Sequence, residues 1–99
     1  MKFMVTWSVY PESWLPILQT WSSMTPDERA DGGPGVTIVG RWHDSAGKGG
    51  VAIMEASDNA ALQTYLGQWA PYMSLTVIPV LDDEESASLA ATVVAAIPS

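Results

Sequence analysis

The sequence predicts an α+β fold: one antiparallel sheet in the order strand, helix, strand, strand, helix, strand, with a further helix at the C-terminal end. Three observations carry this. Apolar residues alternate with period two in short β-rich segments. Two stretches between them place apolar residues at helical spacing. Clusters of Gly, Pro, Asp and Asn separate the segments.

The first strand covers residues 2–9, where Phe3, Val5, Trp7 and Val9 alternate with Lys2, Met4, Thr6 and Ser8. Pro11 ends it, because proline cannot donate to a ladder. The first helix follows over residues 13–24, with Trp14, Ile17, Leu18 and Trp21 on one stripe. Pro16 is tolerated only in the early turns of such a helix. Residues 25–35 (TPDERADGGPG) show no packing pattern and read as a loop.

The second strand is residues 36–43 (VTIVGRWH) and the third is 51–56 (VAIMEA). The glycine-rich turn DSAGKGG joins them as a hairpin. Lys48 on that turn does not indicate phosphate binding, since no G-x-x-x-x-G-K-[ST] pattern is present and a strand, not a helix, follows. Ser57, Asp58 and Asn59 cap a second helix running to about Trp69, with Ala61, Leu62, Tyr65, Leu66 and Trp69 as its apolar stripe. Residues 74–81 (SLTVIPVL) form the fourth strand, and Pro79 assigns it to a sheet edge or a bulge. Asp82, Asp83, Glu84 and Glu85 open a third helix over residues 83–97, since acids favour a helix N-terminus. Adjacent acids on one turn diverge, which disfavours a metal site there. This alanine-rich helix is expected to clasp a partner subunit.

The strand order is ferredoxin-like, with the first and third strands central and both helices on one face. Residues 1–99 are expected to form a single domain, with 83–97 as an accessory helix. Helices cover one face of such a sheet, and the other must meet water or another layer. In the second strand the faces are Val36, Ile38, Gly40 and Trp42 against Thr37, Val39, Arg41 and His43. Neither is convincingly polar. A second copy of the sheet is the simplest cover, which makes a homodimer and a dimeric α/β barrel.

Composition narrows the functions. The chain has 99 residues, 47% of them apolar and five of them tryptophan, which suits one small globular core. Eleven acids against four bases give a net charge of −7, which argues against nucleic acid and anionic membranes. There is no cysteine, so disulfides, thiolate metal sites and thiol nucleophiles are excluded. One histidine and no cysteine do not make a usual zinc site, and haem would have only His43 as a good ligand. Neither metal nor cofactor is expected. No G-x-S-x-G motif supports a serine nucleophile. No basic-then-apolar leader opens the chain and no apolar run approaches a membrane span, so a cytoplasmic location is expected.

The opening MKFMVTW, the GRWH of residues 40–43 and the passage from the fourth strand into LDDEE resemble a small bacterial family of unknown function. The resemblance runs from Met1 to about Glu85. It implies a ferredoxin-like, dimeric α/β-barrel fold and a homodimer, and no established reaction. Relatives of that barrel include cofactor-free monooxygenases, haem-degrading enzymes and aromatic-polyketide cyclases; extending their chemistry here is fold-level analogy.

Chemistry is expected around Arg41 and His43, two residues apart on one strand face. His43 is the only histidine and can serve as acid or base. Arg41 can orient a carboxylate or enolate oxygen through two parallel hydrogen bonds. Thr6, Ser8 and Thr76 are expected on the same inner face. Trp42 is a possible pocket wall, and Glu55 joins the group only if the hairpin register allows. The bland alternative makes His43 a solvent-facing residue and Arg41 with Glu55 a structural ion pair. Tryptophans 14, 21 and 69 read as core. Three functions follow in order: a homodimer binding a small organic ligand between the paired sheets, a cofactor-independent monooxygenase- or isomerase-like enzyme with His43 as base, and a non-enzymatic protein-interaction module using residues 25–35 or the tail helix.

Overall fold

The computed structural model describes residues 1–98. Four strands, β1 (Lys2–Val9), β2 (Val36–Asp44), β3 (Gly49–Ala56) and β4 (Met73–Val80), alternate with four helices, α1 (Pro11–Ser23), α2 (Pro26–Ala30), α3 (Asn59–Leu66) and α4 (Asp83–Ala96). The strands form one antiparallel sheet in the order β2-β3-β1-β4. β1 and β3 are therefore central, as expected. Pro79 lies on the edge strand β4, where a missing N–H costs least. Within this chain the sheet is open, with β2 and β4 as its edges.

One face of the sheet carries the core. Phe3 and Val5 of β1, Val36 of β2, and Ala52, Met54 and Ala56 of β3 pack against Leu62, Tyr65 and Leu66 of α3. Leu62 and Val5 have no exposed surface. The carboxylate of Asp58 accepts from the Ala61 N–H and caps α3. This helix ends at Leu66, one turn short of the expected Trp69, and turns carry the chain to β4.

Residues 25–35 are not wholly a loop. Thr25 Oγ1 accepts from the Glu28 N–H and the Glu28 carboxylate accepts from the Thr25 N–H, a reciprocal pair that starts the short helix α2. Pro16 sits inside α1, which continues past it; its missing N–H leaves the Glu12 carbonyl without the usual helical donor.

The structure also corrects the faces of β2. The ladder pairs Ile38 with Met54 and then Gly40 with Ile53, so Val39 is an extra residue bulged out of the strand. Every side chain beyond it moves to the face opposite the one that strict alternation assigns. Arg41, opposite buried Ala52, and His43, opposite Gly50, join Val36 and Ile38 on the core face, and Trp42 turns away from it.

The other face has no helix on it. Met4, Val51, Ile53 and Ile78 occupy its middle and exposed Trp42 its margin, with Lys2 and Glu55 at one end and Ser8, Ser74 and Asp44 at the other. Helix α4 buries none of its residues. Its N-terminus is anchored by a capping box between Asp82 and Glu85 and by Lys2, whose ammonium lies 3.2 Å from Asp82 and 3.4 Å from Glu85. Beyond that anchor Leu89, Val93, Val94 and Ile97 are exposed, and the molecule is 58 Å long and only 27 by 20 Å across. Among the described residues no helix is long and apolar enough to cross a membrane.

Candidate functional site

A cleft lies between α1 and the core face of the sheet, and β3 lines it through Gly49 and Met54. On the same face of β3, Gly50 and Ala52 are paired with Trp7 and Val5 of β1 and with His43 and Arg41 of β2. Gly50 separates Trp7 on β1 from His43 on β2. A Cβ there would overlap the Trp7 ring. Without one, the Trp7 and His43 rings meet edge-on across the central strand, with centroids 5.7 Å apart. Gly50 of the glycine-rich turn thus makes room for the Trp7 indole.

The roof is α1. Its stripe of Trp14, Ile17, Leu18 and Trp21 points at the sheet, yet no residue of the helix is fully buried. The gap beneath is what leaves the stripe incompletely covered. The helix is held over it from one side: the Trp14 indole N–H donates to the Ser45 carbonyl, at 3.0 Å, in the β2–β3 turn. The cleft has a volume of about 100 Å³ and a mouth open to solvent. Trp69 and buried Tyr65 complete an aromatic lining.

Trp21 is the centre of this arrangement. The Arg41 guanidinium lies 4.8 Å from its ring centroid, the His43 ring 5.1 Å and the Trp69 ring 6.4 Å. Arg29 approaches the same indole at 5.9 Å, and the Lys48 ammonium lies 5.7 Å from Trp14. Arg41 is oriented by two further bonds, donating to the Arg29 carbonyl at 3.0 Å and to the Tyr65 hydroxyl at 3.3 Å. His43 stands at the cleft mouth. Partial burial, and secondarily the positive charge of Arg41, hold its pKa below the ordinary 6.5. Both favour the neutral ring, which can accept a proton.

The seven residues singled out in the sequence divide between the two faces. Arg41 and His43 come together in the cleft. Thr6, Ser8, Trp42, Glu55 and Thr76 lie on the opposite, uncovered face: Thr6 pairs with Thr76 and, through Val51, lines up with Trp42, and Glu55 stands between Lys2 and Thr37. The bulge at Val39 is the cause of the division. It also separates Arg41 from Glu55, so the expected ion pair is absent and the backbone and Tyr65 take its place. Trp14 and Trp21, expected as core, line the cleft half-buried, and exposed Lys48 lines it as well. Among the described residues no cluster of three His, Cys, Asp or Glu side chains is arranged for a metal ion.

Fold and cleft define a small α+β protein with an open four-stranded antiparallel sheet and a tryptophan-lined cleft under its first helix. Residues 1–94 match the family described as Domain of unknown function (DUF3303), and the chain belongs to that family. No curated protein matches the sequence.

Proposed function

We propose that this protein binds a small organic ligand in the cleft between α1 and the sheet. The observation that carries the reading is the convergence of Arg41 and His43, the two chemically most versatile side chains of the chain, on one tryptophan-lined hollow. Aromatic walls with a few convergent polar groups are the usual makeup of a small-molecule site. The ligand lies beneath the helices in this reading, rather than between two paired sheets. A thermal-shift screen of small organic fragments is expected to yield hits whose effect disappears in Arg41→Ala and in His43→Ala. Hits that are unaffected by either change would sink the assignment to this cleft.

A homodimer with ferredoxin-like halves goes with this reading. It is supported by the strand order, the uncovered apolar centre of the second sheet face, and an α4 that buries none of its residues. A self-complementary pairing about a two-fold axis covers both at once. Light scattering is expected to give twice the chain mass, and deletion of residues 84–99 is expected to lower it to that of a single chain. A dimer unchanged by the deletion would remove α4 from the interface.

A second reading is a cofactor-independent enzyme of monooxygenase or isomerase type with His43 as base. The environment that keeps His43 neutral beside the fixed charge of Arg41 favours it. Proton exchange at an acidic C–H of a bound fragment, followed in deuterated water, is expected in the wild type and not in His43→Gln.

A further inference from the structure

From the distribution of charge and hydrogen-bonding groups around the cleft, we infer that its ligand is an aromatic anion of single-ring width, with the negative oxygen held by Arg41. The inference rests on the cleft being a ligand site and specifies what that site takes.

Tryptophan-lined hollows suggest cation binding, because the indole face is electron-rich. Here the chain has already used those faces. Arg41 and Arg29 lie against Trp21, and Lys48 lies against Trp14. A ligand cation would have to enter beside them and meet like charge. The charge balance of the lining is the reverse of the whole chain's. The protein carries eleven acids and four lysines and arginines. No acid lines the cleft, whereas Arg41, Lys48 and the only histidine do.

The hydrogen-bond inventory agrees. Arg41 uses two of its five N–H groups, on Arg29 and Tyr65. The Tyr65 hydroxyl accepts from Arg41, which leaves its own proton to donate. Lys48 and the indoles only donate. The side-chain acceptors of the lining are Ser45, His43 and the Tyr65 oxygen, and the last already holds a bond. A lining of donors matches a ligand of acceptors, and a carboxylate or phenolate supplies them with the complementary charge. The width follows from volume. An apolar cavity of about 150 Å³ admits benzene, so a cleft of about 100 Å³ takes no more than one ring, with its outer edge and substituents in the open mouth.

Benzoate, benzamide and phenyltrimethylammonium share the ring and differ in charge. Each is titrated into the full-length protein, and the five indole N–H resonances are followed by NMR. Benzoate is expected to shift the signals of Trp7, Trp14, Trp21 and Trp69, leaving that of Trp42, and to bind at least tenfold more tightly than benzamide, with no saturable shift from the cation. In Arg41→Gln the preference for benzoate over benzamide is expected to fall below threefold. Should that variant unfold, Lys48→Gln provides the same comparison, with a smaller expected fall. Benzamide binding as well as benzoate, or the cation binding best, would overturn the anion assignment and leave the cleft as a ligand site. Shifts from none of the three would overturn both.

Discussion

Deleting Val39 tests whether a single bulged residue is what places Arg41 and His43 in the cleft. Ile38 pairs with Met54 and Gly40 with Ile53, so the deletion leaves every pair of the β2–β3 ladder intact and makes the strand regular. Val39 is 59% exposed, so roughly two-fifths of a valine's burial is lost. Full burial is worth about 1.5–3 kcal/mol, which puts that loss at about 0.6–1.2 kcal/mol. Ordering one residue fewer returns about 1–2 kcal/mol of backbone entropy. The two nearly cancel, and the expected change is within about 1 kcal/mol of zero. The opposite outcome follows if β2 alternates without a bulge. The deletion then carries Arg41 and His43 to the other face and breaks the guanidinium bonds to Arg29 and Tyr65. Bonds to charged groups contribute about 1.5–3 kcal/mol each, so the loss would be about 3–6 kcal/mol. Urea unfolding measures the stability. The His43 ring protons, shifted by the currents of Trp7 and Trp21, report the face. A loss above about 3 kcal/mol, or His43 ring signals at random-coil positions, would refute the bulge as the positioning device.

Three more outcomes follow from the same geometry. Gly50→Ala puts a Cβ against the Trp7 ring and 2.6 Å from the Trp42 carbonyl oxygen, so both the ring and the β2 backbone must shift; a cost of about 1–3 kcal/mol and loss of the Trp7–His43 contact in NMR are expected. Because folding favours the neutral His43 ring, the unfolded chain binds more protons between the two pKa values. Its contribution to stability is then whole above pH 6.5 and is lost as pH falls through the folded value. His43→Gln is expected to flatten that part of a stability-against-pH curve, and an unchanged slope would count against it. Leu62→Ala empties a site with no exposed surface and is expected to cost about 2–5 kcal/mol in urea melts; less than half the lower bound would place the core elsewhere.

What could be read in advance follows the range of the interaction. The alternation of β1 and the proline that ends it are local, and β1 spans Lys2–Val9 as expected. The acidic start of α4 is local too, and Asp82 and Glu85 close the box that starts it. Helix α2 has a local signal too: Thr25 and Glu28 have capping-box spacing, masked by a stretch dominated by Gly and Pro. The site is a different case. Arg41 and His43 stand out by their chemistry, but strict alternation assigns them to the other face, because one inserted residue inverts everything after it. The available signal was Gly40, since an isolated glycine in a strand marks a bulge or a close approach. Here it also accommodates Trp42, whose ring lies where a Cβ would be.

The cleft itself has no local signature, because its walls come from segments far apart in the chain. Trp14 and Trp21 of α1, Arg41 and His43 of β2, Met54 of β3 and Trp69 meet around it only once the sheet has paired and α1 lies over it. Gly50 admits the Trp7 ring beside His43, and Trp21 packs against both Arg41 and His43. The five tryptophans were the one compositional hint. A core this small has little use for indoles that it does not bury, and Trp14 and Trp21 are not fully buried. Their incomplete cover in the free protein is surface that a bound ring would remove from water. Their exposure is therefore an argument for the ligand, independent of Arg41 and His43. It separates the two ways the binding proposal can fail. If Trp14→Ala and Trp21→Ala stabilise the chain or leave it unchanged and also abolish fragment binding, the indoles are there for a ligand. If both variants lose stability as buried tryptophans do, by about 3–5 kcal/mol, α1 is core after all and the cleft is a packing gap.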